Sequence, residues 1–128
     1  MKKFLSILLC MTVIFFFFSC SSREKTNDFD ESVMKISNVI SEFNGEYIFD
    51  DIGKTYAYTR INTNDTILWS EDSQVILRQI SEKLGFSDLM NDIYNTRKSD
   101  GTLTKQNDKY KVSWSFSNPL LMLKFEMI

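Results

Sequence analysis

The 128-residue chain contains no histidine and has only one proline, four glycines and two cysteines. Without histidine there can be no Ser-His-Asp triad and no histidine metal ligand, and the most common general base is missing. The glycines stand alone at positions 45, 53, 85 and 101, so no glycine-rich phosphate-binding loop is present. Hydrophobic residues make up 43% of the chain and charged residues 25%, which is the composition of one ordinary globular domain.

The first nineteen residues have the parts of an export signal. Two lysines in residues 1–3 precede an apolar run over residues 4–18, and the small Ser19 stands just before Cys20. A membrane-spanning helix needs about 20 apolar residues. The shorter run therefore favours a cleaved signal over a permanent transmembrane helix.

The segment from Phe17 to Cys20 resembles the lipobox of bacterial lipoproteins, and the phenylalanine-rich core is similar to that of Bacteroidota lipoproteins. The resemblance implies that residues 1–19 are removed and that Cys20 is acylated on its sulfur and its new amino group. It also implies a location in the bacterial cell envelope, and Ser21 after the cysteine resembles the sorting signal for the outer membrane. Plain secretion and an uncleaved anchor are the alternatives.

Cleavage before Cys20 would leave a mature chain with 13 basic and 17 acidic residues and a net charge of −4. Nucleic-acid binding needs clustered lysine and arginine, so we expect no nucleic-acid partner. Cys20 would be the sole cysteine, so the mature chain has no internal disulfide even in an oxidising compartment. We divide it into a polar tether over residues 20–28 and a single domain over residues 29–128.

Three helices are predicted. The first has apolar residues at helical spacing: Phe29, Val33, Ile36, Ile40 and Phe43. Asn44 and Gly45 supply its end in the left-handed conformation. The second helix is expected to begin at Ser70 and end at Gly85, and Ser87 is expected to cap a short third helix.

Segments with alternating apolar and polar residues, or rich in β-branched and aromatic residues, are predicted strands. They are residues 46–49, 55–61, 66–69, 102–106, 110–116 and 121–127. Residues 50–53 and 62–65 are predicted turns. The fold class that follows is α+β, with a mainly antiparallel sheet of about five to six strands and two or three helices packed on one face.

Motifs with a known chemistry are scarce. Residues 32–35 fit the Ser-x-x-Lys pattern of penicillin-binding enzymes, but the two companion motifs of those enzymes are missing. The adjacent carboxylates of residues 50–51 and 71–72 are interpreted as a turn and a helix start. We therefore predict no catalytic residue, no metal site and no cofactor.

Aromatic residues on the predicted strands leave two interpretations open. They are Tyr47, Tyr56, Tyr58, Trp69, Tyr110 and Trp114. In the strand over residues 55–61, Tyr56 and Tyr58 share one face, while Ala57, Thr59 and Ile61 share the other. The aromatic side chains either belong to the core or form a surface for a protein, a sugar or a hydrophobic ligand.

The functional prediction is a small lipid-anchored envelope protein that binds a protein partner without catalysis. It would act as an accessory subunit, an inhibitor or an immunity-type protein, and would attach to the membrane through Cys20. A small hydrolase of envelope polymers that uses Asp or Glu is one alternative. A binder of a sugar or hydrophobic ligand is the other.

Overall fold

The computed structural model describes residues 35–128. The predicted signal (1–19), the tether (20–28), the lipidation of Cys20 and the start of the first predicted helix lie outside the described residues. The described elements are, in chain order, α1 (Ile36–Glu42), β1 (Asp51–Ile52), β2 (Tyr56–Asn62), α2 (Glu71–Lys83), α3 (Leu89–Asn95), a 3₁₀ turn (Lys98–Asp100), β3 (Leu103–Gln106), β4 (Tyr110–Ser117) and β5 (Leu120–Met127). This arrangement confirms the predicted α+β class.

The five described strands form one antiparallel sheet in the order β1-β2-β5-β4-β3. Strand β5 is central and pairs along its length with both β2 and β4. A tight turn at Asn118 and Pro119 joins β4 to β5, and Thr63 reaches it by donating its backbone N–H and its hydroxyl to the Pro119 carbonyl oxygen. The edges of the sheet are the two-residue β1 and the four-residue β3.

The hydrophobic core lies on one face of this sheet. Its strand residues are each at most 4% exposed: Ala57, Thr59, Ile61, Tyr110, Val112, Trp114, Leu121, Leu123 and Phe125. The helices cover this face with fully buried side chains: Ile36, Ile40, Leu77, Ile80, Leu89 and Ile93. The Phe125 ring lies at the centre, with its centroid 6.1 Å from that of Phe49 and 6.5 Å from that of Phe86.

Polar groups inside the core are paired. The Thr59 hydroxyl donates to the Ile48 carbonyl oxygen at 2.6 Å. The Trp114 indole N–H donates to the Thr96 hydroxyl at 2.9 Å, and that hydroxyl donates to the Asp92 carbonyl oxygen at 2.7 Å. No buried side-chain nitrogen or oxygen of residues 35–128 lacks a partner. The buried polar groups of these residues therefore do not carry the energetic cost of an unmade hydrogen bond.

Three of the four helix ends predicted from the sequence agree with the structure, one of them being Gly85 after α2. Asn44 follows α1 in the left-handed conformation with φ of 53°. Ser70 caps α2 by accepting a hydrogen bond from the Ser73 backbone N–H at 3.2 Å. The predicted Ser87 cap of α3 is wrong: Asp88 occupies the N-cap position and makes no side-chain capping bond. The chain instead enters α3 through a backbone hydrogen bond from Leu89 N–H to the Phe86 carbonyl oxygen.

The end of α2 is tied to the sheet by Asn107, in the turn between β3 and β4. Its Nδ2 donates to the Leu84 carbonyl oxygen at 2.8 Å, while its Oδ1 accepts from the backbone N–H groups of Lys109 and Tyr110. Gly85 has φ of +90°, and a Cβ there would lie 2.7 Å from Asn107 Nδ2. The glycine thus permits both the helix end and the close approach of the turn.

The predicted strand over residues 66–69 is wrong. Asp65 Oδ1 accepts hydrogen bonds from the backbone N–H groups of Ile67 and Leu68 at 2.9 and 3.0 Å, and this curls the chain into a turn. Ile67, expected in a sheet, is 79% exposed as a result. A local side-chain hydrogen bond has here outweighed β-propensity.

The predicted strand over residues 46–49 is also wrong, and the sheet begins slightly later. Ile48 donates its backbone N–H to the Gly45 carbonyl oxygen, which continues the turn after α1. Strand pairing starts where Asp50 N–H donates to the Tyr58 carbonyl oxygen. Residues 51–52, expected in a turn, therefore form the short edge strand β1.

None of the helices within residues 35–128 has the length and apolar character that crossing a membrane requires.

Candidate functional site

The candidate site is the face of the sheet opposite the helices, which we call the open face. Strand alternation and register assign these side chains to it: Asp51, Tyr56, Tyr58, Arg60, Thr104, Gln106, Lys111, Ser113, Ser115, Ser117, Leu120, Met122, Lys124 and Glu126. All are exposed or half-buried. Leu120 and Met122 are each 39% exposed, although both are large and apolar.

Tyr56 is held in place at one corner of the open face. Its hydroxyl donates to Asp51 Oδ2 at 3.1 Å, and its ring lies so close to Gly53 that a Cβ there would be 2.4 Å from the ring. The hydrogen bond to Asp51 and the negative charge of that carboxylate raise the pKa of Tyr56 above its usual value. The Lys124 ammonium lies 5.9 Å from the ring centroid, within cation–π range.

Lys124 lies between Tyr56 and the centre of the open face. Its Nζ lies 2.8 Å from Glu126 Oε1, two residues along the same strand. Lys111 is the cross-strand neighbour of Glu126, so that carboxylate lies between two lysines. Neither Lys111 nor Arg60 takes part in an ion pair among residues 35–128. Among residues 35–128, the charges of the open face without an ion-pair partner are therefore two cations, Arg60 and Lys111, and one carboxylate, Asp51.

A shallow depression of about 230 Å³ lies in the middle of the open face. Its rim consists of Thr102 and of residues from β2, β4 and β5: Tyr58, Ser113, Ser115, Met122 and Lys124. Lys124 is the only charged residue among those that line it. The arrangement can receive an apolar group and place an anion beside it.

The six aromatic residues singled out in the sequence separate into different roles. Tyr110 and Trp114 are buried in the core, and burial raises the pKa of Tyr110. Trp69 is half-buried against the core, and Tyr47 is exposed in a turn. The remaining two, Tyr56 and Tyr58, lie on the open face. The core interpretation is therefore confirmed for Tyr110 and Trp114, while a binding role for Tyr56 and Tyr58 stays a prediction.

The paired carboxylates singled out in the sequence have structural roles near the start of β1 and α2. Asp50 Oδ2 accepts from the Arg60 N–H at 2.7 Å, and Asp51 accepts from Tyr56. Glu71 and Asp72 lie in the first turn of α2, where the helix dipole favours negative charge. All four are exposed. A pair of carboxylates facing a cleft, which the hydrolase alternative requires, is not formed by these residues.

Two clefts of about 350 Å³ each lie between β3 and the helices, on either side of Lys105. Asp92 and Asp100 line the first. Asp92 forms an ion pair with Lys105, and Asp100 accepts a hydrogen bond from the Arg97 backbone N–H. No local sequence pattern indicates the pairing of Asp92 with Lys105, because thirteen residues separate them and only the packing of α3 on β3 brings them together.

Metal-ligating clusters of Cys, His, Asp or Glu do not occur among residues 35–128. The Ser-x-x-Lys pattern is only partly visible: Lys35 immediately precedes α1, and Ser32 lies outside the described residues. Lipidation of Cys20 also lies outside them and stays a prediction.

Comparison with known proteins gives no match: no protein family, curated protein or solved structure is significantly similar to this chain.

Proposed function

We propose that this protein is a lipid-anchored protein of the bacterial cell envelope and binds a protein partner through the open face, without catalysis. The observation that carries the proposal is the uneven covering of the sheet. The helices of residues 35–128 pack on one face, and the other presents tyrosine, methionine, leucine and arginine side chains. Aromatic residues, Met and Arg are enriched at protein interfaces relative to the rest of a surface.

The shape of the open face favours a macromolecule over a small ligand. Pockets for small molecules have volumes of about 300–1,000 Å³ and enclose most of the ligand. The central depression holds about 230 Å³ and is shallow. A face that spans several strands and has one shallow depression is better suited to a protein surface that inserts a single side chain.

The membrane anchor is the second part of the proposal. The lipobox-like segment implies acylation of Cys20, and two or more acyl chains give stable attachment to a bilayer. The domain would then stay at the outer membrane, close to partners in the same envelope. A fixed location combined with a binding surface suits an accessory subunit, an inhibitor or an immunity-type protein that acts on a partner in the same envelope.

Affinity purification of the C-terminally tagged protein from its native envelope tests the binding surface. The test variant Tyr58→Ser/Met122→Ser removes two apolar side chains from the rim of the depression. The matched control Val75→Ser/Tyr94→Ser removes two side chains of the helical layer, which are 45% and 50% exposed. We expect one protein to co-purify with the wild type and the control and to be lost with the test variant. Equal recovery with all three proteins would contradict the assignment of the open face.

Incorporation of labelled palmitate tests the anchor separately. We expect label in the wild type and none in Cys20→Ser, which should also leave the membrane fraction. Label retained by Cys20→Ser, or none in the wild type, would refute the anchor while leaving the open face to be judged by the first experiment.

A further inference from the structure

We infer that the partner presents an acidic surface to the open face, with an apolar side chain next to a carboxylate at the point of contact. The inference rests on the proposed function and specifies the chemistry of the partner.

The open face has a net positive charge, whereas the rest of the described surface has a net negative charge. The face has three cations, Arg60, Lys111 and Lys124, and two carboxylates, Asp51 and Glu126. Residues 35–128 contain 11 basic and 13 acidic residues in total, so the remainder of the described surface is net negative. A positive face on an acidic domain favours a partner of the opposite charge.

Of the two carboxylates of the face, Glu126 is ion-paired, and Asp51 is hydrogen-bonded to a neutral hydroxyl and keeps its charge. Glu126 pairs with Lys124 at 2.8 Å, and Asp51 accepts the Tyr56 hydroxyl at 3.1 Å. Arg60 and Lys111 have no ion-pair partner among residues 35–128. An approaching partner therefore meets two unpaired cations and one unpaired carboxylate, and its own carboxylates can pair with Arg60 or Lys111 without breaking an existing ion pair.

The central depression adds a requirement for an apolar group. An engineered protein cavity of about 150 Å³ is large enough for benzene. A depression of about 230 Å³ can therefore receive one aromatic or branched aliphatic side chain. Lys124 is on its rim, and Arg60 is the cross-strand neighbour of Met122, also on the rim. A carboxylate one or two residues from the inserted side chain would reach either cation.

Two other occupants fit less well. A second copy bound face to face would bring four unpaired cations, Arg60 and Lys111 of each copy, against two unpaired carboxylates, Asp51 of each copy. A second copy bound by its acidic helical layer would form a head-to-tail contact, which leads to rings or open chains. Recognition of anionic lipid usually needs clusters of about 4–8 basic residues, and the open face has three, one of them in an ion pair.

Selection from a random peptide library displayed on phage tests the inference, with the unacylated full chain carrying Cys20→Ser as bait. Synthetic copies of the selected peptides are then titrated against charge variants at low and at high salt. Lys124→Ser is matched by Lys83→Ser, since each lysine is about half exposed and forms one ion pair with a glutamate. Arg60→Ser is matched by Arg78→Ser on the exposed side of α2.

We expect selected peptides to combine Asp or Glu with a neighbouring aromatic or aliphatic residue. Arg60→Ser and Lys124→Ser should each weaken binding about three- to tenfold and reduce its salt dependence. The two control variants should leave binding within about twofold, since charges away from an interface contribute little. Tyr58→Ser/Met122→Ser should abolish binding of the same peptides.

The other outcomes separate this inference from the proposed function. Selected peptides could require Tyr58 and Met122 without an excess of acidic residues, and their binding could be unchanged by Lys124→Ser. That result would overturn the acidic partner and leave the open face as the binding surface. Peptides indifferent to all four open-face substitutions, or no selected peptide at all, would count against both. If the protein binds phosphatidylglycerol vesicles and Arg60→Ser abolishes this binding, the occupant of the open face is anionic lipid and the acidic protein partner is overturned. If the protein forms a dimer in gel filtration that Arg60→Ser abolishes, the occupant is a second copy of the chain.

Discussion

The two faces of strand β5 alternate along the same eight residues but have different surroundings. On one face Leu121, Leu123 and Phe125 are at most 1% exposed, while on the other Leu120 and Met122 are each 39% exposed. The first residues of β5 are apolar on both faces, so their hydrophobicity alone does not indicate which face joins the core. The helices cover the first face, and the second is left with large apolar side chains that nothing in residues 35–128 buries. An apolar residue without a core to join is a better indicator of a binding surface than one that joins a core.

Removal of the Phe125 ring should have the largest effect and tests this difference directly. Phe125→Ala should lower the free energy of unfolding by about 3–5 kcal/mol, because the ring fills the centre of the core against Phe49 and Phe86. Met122→Ala on the opposite face should change it by no more than about 0.5 kcal/mol. Urea unfolding of both variants measures the two effects. Comparable losses would mean that the sheet is covered on both faces.

Thr59 and Tyr58 are neighbours on β2 that point to opposite faces, and they offer a second comparison. Thr59→Val should cost about 1–3 kcal/mol of stability, because it leaves the buried Ile48 carbonyl oxygen without its donor. Thr59→Ser keeps the hydroxyl and serves as the control. Tyr58→Ser should alter partner binding with little change in thermal stability. Wild-type stability of Thr59→Val would show that the hydroxyl contributes nothing to the core face.

Ser70 tests whether the helical cover can be weakened without affecting the open face. Ser70→Ala should lower stability by about 1 kcal/mol, since it removes the cap from the first turn of α2. Ser70→Asp retains an acceptor for the Ser73 N–H and should restore most of this loss. Thermal unfolding measures stability, and binding of the co-purified partner should be the same for all three proteins. A parallel loss of binding would indicate that the two faces are coupled.

The smallest expected effect concerns Asp65, in the turn after β2. Two backbone N–H donors, from Leu68 and Ile67, hold the pKa of this carboxyl below its ordinary value of 3.8. A lowered pKa in the folded state means that the ionised group contributes stability above the ordinary pKa, and that this contribution is lost as pH falls through the folded pKa. Asp65→Asn should therefore differ most from the wild type near neutral pH and least in acid. Melting temperatures of the two proteins across this range measure the difference, and a constant gap would contradict it.

Local sequence patterns predicted the secondary structure correctly where interactions between chain neighbours decide it. The alternation in residues 110–116 and 121–127 predicts β4 and β5 within one residue at each end. The capping residue Ser70 and the glycine at position 85 bound α2 as expected. Strand alternation, caps and left-handed ends depend on neighbours in the chain, and those neighbours are visible in the sequence.

Predictions from local sequence patterns were wrong where a competing hydrogen bond, or a partner far away in the chain, decided the structure. Residues 66–69 have the composition of a strand, but the Asp65 carboxylate recruits their backbone N–H groups. Residues 51–52 read as a turn but become strand β1, because β2 offers them a pairing edge. Ion pairing of Asp92 with Lys105 depends on how α3 packs beside β3.

The sequence by itself determined that Tyr56 and Tyr58 share one face of a strand and that Ala57, Thr59 and Ile61 share the other, because alternate side chains of any β-strand point to opposite sides. It did not determine which of these faces is the core. That choice depends on which side of the sheet the three described helices cover, and their packing joins residues far apart in the chain. Only the tertiary structure therefore assigned the smaller side chains to the core and left the two tyrosines, with Met122 and Lys124, on the open face.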